Sequence, residues 1–215
     1  MLVDEAKWLG AWLAAQPADA YPLCNLGSST RRFRTVTQPW IDAHLFARAR
    51  GEVVHVDRKP DDGVDLVGDI TDPAFADALR RRRFATVLCS NLLEHVDDLA
   101  AACVRVWSVV PPGGRLVITG PYRYPIHLDP IDNGLRATPD ELAAMFPDAV
   151  QTAGAVIPDG TFARYLFRSP GNALDEFARV ITPFVRPRAW LAGMRRWGWL
   201  HRRFAASGVV LLRPA

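Results

Sequence analysis

The chain has 215 residues, 49% of them hydrophobic, so it can bury one sizeable core and we expect a single domain over residues 1–215. Its 26 lysines and arginines against 23 acidic residues leave a net charge of only +3, which gives no argument for nucleic-acid binding. No apolar run approaches the ~20 residues of a membrane span, and no positive segment precedes the first apolar stretch, as a signal peptide requires. We therefore expect a cytoplasmic protein.

The first part of the chain alternates helical and strand patterns. A helix is predicted over residues 4–16, because tryptophans and leucines recur there on one helical face. Short apolar runs predict strands at residues 23–26 and 53–56. Residues 27–37 form a polar, arginine-bearing loop, and a helix is expected from Pro39 to about Arg50, since proline suits a first helical turn.

The next strand follows very closely. Only residues 57–64 separate the second strand from the run at 65–67, which is too short for a usual parallel crossover. We therefore expect a tight loop where a helix normally stands. A helix through Arg83 and a buried strand at 84–89 follow.

The second half continues the alternation. A helix at 99–110 ends at the proline and glycine cluster 111–114, and a strand at 116–119 follows. Thr138 and Glu141 form a capping box that begins a helix to about Phe146. The remaining strands are predicted at 150–157, 162–167 and 209–212.

The three cysteines read as buried thiols of a reducing compartment. Cys24, Cys89 and Cys103 are flanked by apolar residues and show no paired CxxC spacing, so no metal site is predicted.

A glycine and two aspartates follow the early strands, at the points where a ligand would contact the chain. Gly27 follows the first strand, Asp57 the second and Asp69 the third. In an open α/β sheet, ligands bind beyond the carboxyl ends of parallel strands. This order predicts a site for a nucleotide-like ligand.

Further motifs complete a family resemblance over about residues 20–147. They are the glycine turn after strand one, Asp57, the pair Gly68-Asp69, the run Ser90-Asn91-Leu92-Leu93-Glu94-His95-Val96, and Pro112-Gly113-Gly114 before a strand ending at Pro121. In this order they resemble the class I S-adenosylmethionine-dependent methyltransferases, in particular the methyltransferase type 11 group. The resemblance implies an α/β fold: a three-layer, Rossmann-like sheet of seven mostly parallel strands with the last strand antiparallel. The core would span about residues 20–168 plus a closing strand at 209–213.

The resemblance also implies roles at the cofactor. Gly27 and Ser28 would let the backbone approach S-adenosylmethionine, and Asp57 would take its ribose hydroxyls. Asp69 and Ile70 would meet the adenine. By the same similarity, the methionine portion would lie beside Asn25, Ser90 and Asn91.

The first motif departs from the family pattern, which begins with an acid and carries three spaced glycines. The matching places hold Asn25, Gly27, Ser29 and Arg31. The missing acid normally helps to hold the cofactor's ammonium group, whereas an amide accepts a hydrogen bond without the charge. Arg31, Arg32 and Arg34 either clamp a carboxylate or phosphate bidentately or belong to a solvated loop.

The segment 120–133 is the predicted place for substrate chemistry. It leaves the end of a central strand and concentrates Tyr122, Tyr124 and Asp129 as candidate substrate contacts. His127 is the candidate general base, because its ordinary pKa near ~6.5 lets it accept a proton at neutral pH, and Asp129 or Asp132 would orient it. His95 is the second catalytic candidate. A structural role for either histidine is the alternative.

The C-terminal segment 172–204 is basic and aromatic. No acidic residue follows Glu176, while eight arginines do. A helical insertion is expected here. Three interpretations stay open. The stretch 179–204 suits peripheral contact with an anionic membrane, or the segment surrounds an acidic or lipid-like substrate. The third interpretation is a helical cover that packs on the sheet with its arginines outward.

The sequence therefore predicts an enzyme that transfers a methyl group to an O, N or C nucleophile of a small molecule. The alternative is a non-catalytic Rossmann-like domain that binds a nucleotide-like ligand or a membrane or protein partner. A nicotinamide-dependent oxidoreductase is a weaker option, because GxGxxG opening a helix is absent.

Overall fold

The computed structural model describes residues 1–127, 131–167 and 197–215, together with residues 174, 184, 190 and 194. Its strands are β1 (Leu23–Leu26), β2 (Val53–Asp57), β3 (Leu66–Val67), β4 (Thr86–Ser90), β5 (Arg115–Arg123), β6 (Val150–Thr161) and β7 (Arg203–Leu212). They form one sheet in the order β3-β2-β1-β4-β5-β7-β6. The first five strands are parallel, and β7 runs antiparallel to both β5 and β6. The predicted fold is thus confirmed, including the antiparallel last strand.

Helices cover both faces of this sheet. They are α1 (Val3–Ala14), α2 (Pro73–Arg81), α3 (Leu99–Val109), α4 (Pro139–Ala144) and α5 (Phe162–Leu166). Apolar residues of α2, α3 and α4 form the core of one face, and those of α1 pack on the other. Successive side chains of a strand point to opposite faces of the sheet. Because both faces are covered, β1 and β4 are buried throughout their lengths.

Helix α1 packs closely against the residues that follow β1. Leu9 and Leu13 are buried with Ile41 and Leu45 in the core of this face. A Cβ atom at Gly10 would lie 1.8 Å from the carbonyl oxygen of His44, so only glycine permits this approach. The close packing sets the position of α1 over the sheet, which matters for the site below.

The connection between β1 and β2 is less regular than predicted. In place of a loop over 27–37 and one helix over 39–50, the chain forms short helical turns at Phe33–Thr37, Ile41–Leu45 and Phe46–Arg48. Tertiary burial overrides local propensity here, because Arg34, Ile41 and Leu45 all turn inward. The helix-free loop between β2 and β3 is confirmed.

The prediction of a strand at 162–167 is wrong. Phe162 and Leu166 lie four residues apart on one face of α5, and both are buried with Phe204. Short apolar runs do not distinguish a strand from a helix by periodicity alone, and the aromatic residues biased the prediction towards β structure.

The last strand is longer than predicted and begins at Arg203, so Arg203 and Phe204 belong to the sheet rather than to a helical insertion. Strand β5 is also longer, reaching Arg123 because it stays paired with β7. Most of the basic segment 172–204, including the predicted membrane contact over 179–204, lies outside the described residues. Within the described part of the chain, no helix is long and apolar enough to cross a membrane.

Candidate active site

A large cavity opens at the carboxyl ends of β1, β2, β4 and β5. Its volume is about 1160 Å³, against roughly 300–1,000 Å³ for typical small-molecule sites. Helix α1 and the loops after β1 and β4 also contribute to its wall, as do Pro121, Tyr124, Pro125, His127 and Ile131. The cavity is therefore larger than a typical site for one small molecule.

The turn after β1 has a conformation that lets a ligand come close to its backbone. Gly27 has a positive φ of 69°, and a Cβ atom there would lie 3.1 Å from Leu92 Cδ1. Ser29 also has a positive φ, 55°, at a place where the resemblance predicts a glycine. Ser28 is buried, and its backbone amide donates to the carbonyl of Val56 at 3.0 Å. The tight turn is therefore kept although two of the three glycines of the family pattern are replaced, by Ser29 and Arg31.

Asp57 holds this turn from the end of β2. Its Oδ2 accepts the backbone amide of Ser29 at 2.7 Å, and its Oδ1 accepts that of Lys59 at 3.0 Å. Each carboxylate oxygen can accept a second hydrogen bond. Asp57 lines the cavity and is pre-oriented to receive donors from a ligand.

Asp69 lies one strand further out. Its Oδ1 accepts the backbone amide and the hydroxyl of Thr71, at 2.9 and 2.7 Å, which closes a local turn. Although burial opposes it, hydrogen bonding from Thr71 and Arg58 lowers the pKa of Asp69. Asp69 and the largely buried Ile70 both line the cavity.

The arginines after β1 do not face a ligand as a group. Arg34 is buried, and its guanidinium donates to the carbonyls of Ser29 at 2.7 Å and Gly63 at 3.1 Å. It also pairs with Asp42 at 3.2 Å. Arg31 and Arg32 are exposed. The interpretation of Arg34 as a ligand clamp is replaced by a structural one: it ties three loops together.

Asn25, at the place of the missing acid, is buried beside His55 of β2. Its Nδ2 lies 3.0 Å from His55 Nδ1. Burial, reinforced by the Arg34 guanidinium, lowers the pKa of His55 to about 4, so the ring is neutral at pH 7 and its Nδ1 accepts the amide proton. Position 25 therefore offers the cavity an amide and no negative charge.

A carboxylate from α1 occupies the centre of the site. Glu5 is fully buried, and its Oε1 accepts Asn91 Nδ2 and Thr119 Oγ1, both at 2.6 Å. Its Oε2 accepts the backbone amide of Leu2 at 2.9 Å. Ser90 completes the cluster through its hydroxyl contact with Thr119 at 2.6 Å. Glu5, Ser90 and Asn91 all line the cavity.

A second buried carboxyl group stands nearby. The side chain of Glu94 is 1% exposed, and its Oε1 has no hydrogen-bond partner among the described residues. Burial raises the pKa of Glu94 to about 7, and the proximity of Glu5 adds to this rise. His95 Nε2 lies 3.8 Å from its Oε1.

The structure brings the two predicted catalytic histidines together. The rings of His95 and His127 meet edge to face, with centroids 5.2 Å apart, and both line the cavity. His95 Nδ1 lies 2.5 Å from the carbonyl of Ile131, so this nitrogen carries the proton. Asn133 fastens the same loop by donating to the carbonyls of Leu93 and Val96.

Asp132 supports His127, as one of the two predicted alternatives. Its Oδ2 lies 3.1 Å from His127 Nδ1, without the alignment of a hydrogen bond, and accepts the backbone amide of His127 at 2.9 Å. Burial opposes ionisation, yet hydrogen bonds from Arg136 hold the pKa of Asp132 well below its usual range. Burial lowers the pKa of His127, only partly offset by Asp132, so the ring is neutral at pH 7.

The predicted substrate contacts have different positions. Tyr124 lines the cavity, with its ring centroid 5.5 Å from that of His127. Tyr122 is not among the cavity-lining residues and lies beside Arg123. Asp129 lies outside the described residues.

Glu5 is the main site residue that the sequence reasoning missed. The signal was present, because Glu5, Leu9 and Leu13 recur every four residues and therefore share the buried face of α1. An acid on that face is costly to bury without a purpose. Glu94 belongs to the motif run 90–96, but its burial depends on contacts distant in sequence, such as that with Asn133.

Comparisons with known proteins agree with this architecture. Residues 24–118 match the family model described as a methyltransferase domain. The fold is similar to that of the [4+2]-cyclase SpnF, with a TM-score of 0.59, 13% identity and coverage of 99% of this chain and 81% of the other. It is also similar to coclaurine N-methyltransferase bound to N-methylheliamine and SAH, with a TM-score of 0.58, 15% identity and coverage of 98% and 72%.

A third similar fold is the YcgJ protein from Bacillus subtilis, with a TM-score of 0.54, 14% identity and coverage of 96% of this chain and 98% of the other. No curated protein matches the sequence. At these identities the structural similarities show the fold alone.

Proposed function

We propose that the chain is a class I S-adenosylmethionine-dependent methyltransferase that methylates an O, N or C nucleophile of a small molecule, and its match over residues 24–118 and its fold support this proposal. The observation that carries this proposal is the cavity at the carboxyl ends of the strands, which joins a glycine turn, an oriented carboxylate and a histidine pair. The three free, buried thiols support a reducing, cytoplasmic setting.

One side of the cavity suits the adenosine portion of the cofactor, and we name Gly27, Asp57, Asp69 and Ile70 the adenosine end. Asp57 keeps lone pairs for two ribose hydroxyls, and charge-assisted hydrogen bonds of this kind are strong. The lack of a side chain at Gly27 lets the ligand approach the backbone. Asp69 and Ile70 offer a polar and an apolar contact to the adenine ring.

The other side suits the methionine portion and the methyl acceptor, and we name Glu5, Glu94, His95 and His127 the reaction end. Asn25, Ser28, Ser90 and Asn91 line the cavity between the two ends. When bound, S-adenosylmethionine supplies an activated methyl group, so the protein's main tasks are to align the acceptor and to remove its proton.

His127 is the proposed base for a hydroxyl acceptor. Its ring is neutral at pH 7 and is held next to the ionised Asp132, which stabilises the imidazolium that forms when a proton arrives. His95 packs edge to face against this ring, and it is the second candidate base. Tyr124 also contacts the His127 ring edge to face and would border the acceptor.

The competing hypothesis is a non-catalytic domain of the same fold. SpnF, which is described as a [4+2]-cyclase, has this fold too, so the fold by itself does not decide the reaction. The charged and titratable groups at the reaction end favour an enzyme.

Titration with S-adenosylhomocysteine tests the cofactor assignment. We expect a heat of binding and a rise in melting temperature. No heat and no rise at millimolar ligand would contradict the proposal. A second assay follows transfer of a labelled methyl group to a panel of hydroxyl, amine and carbon acids. Binding without transfer to any of them favours the non-catalytic domain.

A further inference from the structure

An amino-acid ligand needs a negative partner at the reaction end of this cavity. The methionine portion of the cofactor carries an ammonium group, and a cation taken out of water is costly unless it is paired. Strand β1 provides only the amide of Asn25, whose Nδ2 contacts His55 and whose oxygen carries no charge. The partner must therefore come from another element.

Glu5 on α1 is the carboxylate placed to serve. Donors from β4, β5 and the loop after β4 fix its Oε1, because Thr119 and Asn91 lie at 2.6 Å and Ser90 at 3.5 Å. Its Oε2 accepts one backbone amide, which leaves an acceptor site free. None of the ion pairs among the described residues includes Glu5.

Glu94 gives an independent sign that a cation belongs here. Its Oε1 is buried without a hydrogen-bond partner in the described part of the chain, and Glu94 lines the same cavity as Glu5. Two carboxyl groups that share a site repel each other when both are ionised. A single ammonium group between them would relieve this repulsion.

The sheet geometry is compatible with one ligand reaching both ends. Asp57 ends β2, whereas the contacts of Glu5 lie just after β4, at Asn91, and within β5, at Thr119. Strand β1 alone separates β2 from β4, so these strands are about 10 Å apart. Side chains that point inward from both sides shorten this span further.

We propose that Glu5, carried by α1, binds the ammonium group of the cofactor's methionine portion in place of the acid that β1 lacks. This inference rests on the proposed function, since it assumes that the cavity binds S-adenosylmethionine. It assigns α1 a role in the cofactor site beyond packing on the sheet.

The test compares two ligands on two proteins by isothermal titration calorimetry. S-Adenosylhomocysteine carries the ammonium group, and 5′-methylthioadenosine lacks the whole amino-acid portion. Hydrogen bonds to charged groups predict that Glu5→Gln weakens S-adenosylhomocysteine binding by at least ~10-fold. The same change should alter methylthioadenosine binding by less than about twofold, because the adenosine end does not contain Glu5.

Two further variants control the experiment. Glu52→Gln makes the same charge change at an exposed position outside the cavity and should leave both affinities unchanged. If Glu5→Gln does not fold, Glu5→Asp keeps a carboxylate for Thr119 and Asn91 but withdraws it by one methylene group. We expect it to reproduce the selective loss.

The outcomes separate the inference from the proposed function. Equal losses of affinity for both ligands would overturn the proposed role of Glu5, and so would an unchanged affinity for S-adenosylhomocysteine. With unchanged affinity, the cation between Glu5 and Glu94 would be an amine of the methyl acceptor instead. If the wild type binds neither ligand, the proposed function itself is wrong.

Discussion

The adenosine end and the reaction end of the cavity are built in different ways. Asp57 ends β2, and Asp69 lies two residues after β3. Both accept a backbone amide two residues further along the chain, and Asp57 also accepts that of Ser29 in the neighbouring loop after β1. The reaction end joins α1, β4, β5 and the loop through Asp132, and it buries two carboxyl groups. Its contacts span up to 114 residues, between Glu5 and Thr119.

This difference separates two physical tasks. The adenosine end recognises neutral hydroxyl and ring groups, which half-exposed carboxylates can do without large desolvation. The reaction end must control charge and protons, and burial makes electrostatic effects larger there. Mutations at the two ends should therefore differ in kind, with binding losses at the first and, apart from the ammonium contact proposed for Glu5, rate or pH effects at the second.

The largest expected effect is on the rate at the reaction end. His127→Ala should lower the turnover of a hydroxyl acceptor by ~100-fold or more, because general base catalysis typically contributes that much. Affinity for S-adenosylhomocysteine should stay within about twofold. Steady-state kinetics and calorimetry measure the two quantities. His201→Ala, an exposed histidine, is the control, and equal turnover in the two variants would exclude His127 as the base.

The next effect is on the stability of the loops that carry the adenosine end. Arg34→Ala should lower the free energy of unfolding by ~3 kcal/mol, because it leaves Asp42 and several carbonyls without their buried partner. Urea denaturation measures the loss. Arg32→Ala, at an exposed neighbouring arginine, should cost little. If both variants are equally stable, Arg34 does not tie these loops together.

Stability of the reaction end should depend on pH through Glu94. Below pH 4.5 its carboxyl group is protonated in the folded and the unfolded chain. Between pH 4.5 and about 7 the unfolded chain releases this proton while the folded chain keeps it, so the folded state loses relative stability as pH rises. Glu94→Gln removes this dependence, and its stability relative to wild type should rise by on the order of 2 kcal/mol between pH 4.5 and 8. Parallel pH profiles in urea denaturation would refute the raised pKa.

Ribose binding at the adenosine end should depend on Asp57. Asp57→Ala should weaken S-adenosylhomocysteine binding by at least ~1.5 kcal/mol, the usual worth of hydrogen bonds to a charged group. Calorimetry measures this loss. Asp148→Ala changes an exposed acid outside the cavity and serves as the control. Unchanged affinity in Asp57→Ala would reject its ribose assignment.

The smallest effect separates backbone strain from ligand approach at Gly27. Gly27 and Gly113 both have positive φ, but a Cβ atom at Gly113 meets nothing within 4 Å. Alanine at either position should cost about 1 kcal/mol of stability. Only Gly27→Ala should also weaken S-adenosylhomocysteine binding, by several-fold. Equal affinity of the two variants in calorimetry would mean that the ligand does not approach the turn.

Local signals made the sheet and the adenosine end predictable. Apolar runs followed by Gly27, Asp57 and Asp69 indicate strands and their ligand-facing ends, because both properties lie within a few residues. The capping box at Thr138 likewise predicts the start of α4, and the structure confirms it.

The reaction end could be predicted only in part. His95 and His127 were identified as candidates, but their edge-to-face contact depends on Asn133 fastening one loop to another. The spacing of Glu5 with Leu9 and Leu13 indicates that Glu5 is buried, but its contacts depend on the register of α1 over the sheet, which no local pattern specifies. The helix at 162–166 was missed for the same reason, since its burial against Phe204 decides its form.

The most direct test of the account is a crystal structure of this protein with S-adenosylhomocysteine. We predict the ribose hydroxyls on Asp57, the adenine against Asp69 and Ile70, and the ammonium nitrogen within hydrogen-bond distance of Glu5. The sulfur should face the histidine pair across the remaining space of the cavity. A ligand whose amino-acid portion points away from Glu5 and Glu94 would contradict the division of the cavity into an adenosine end and a reaction end.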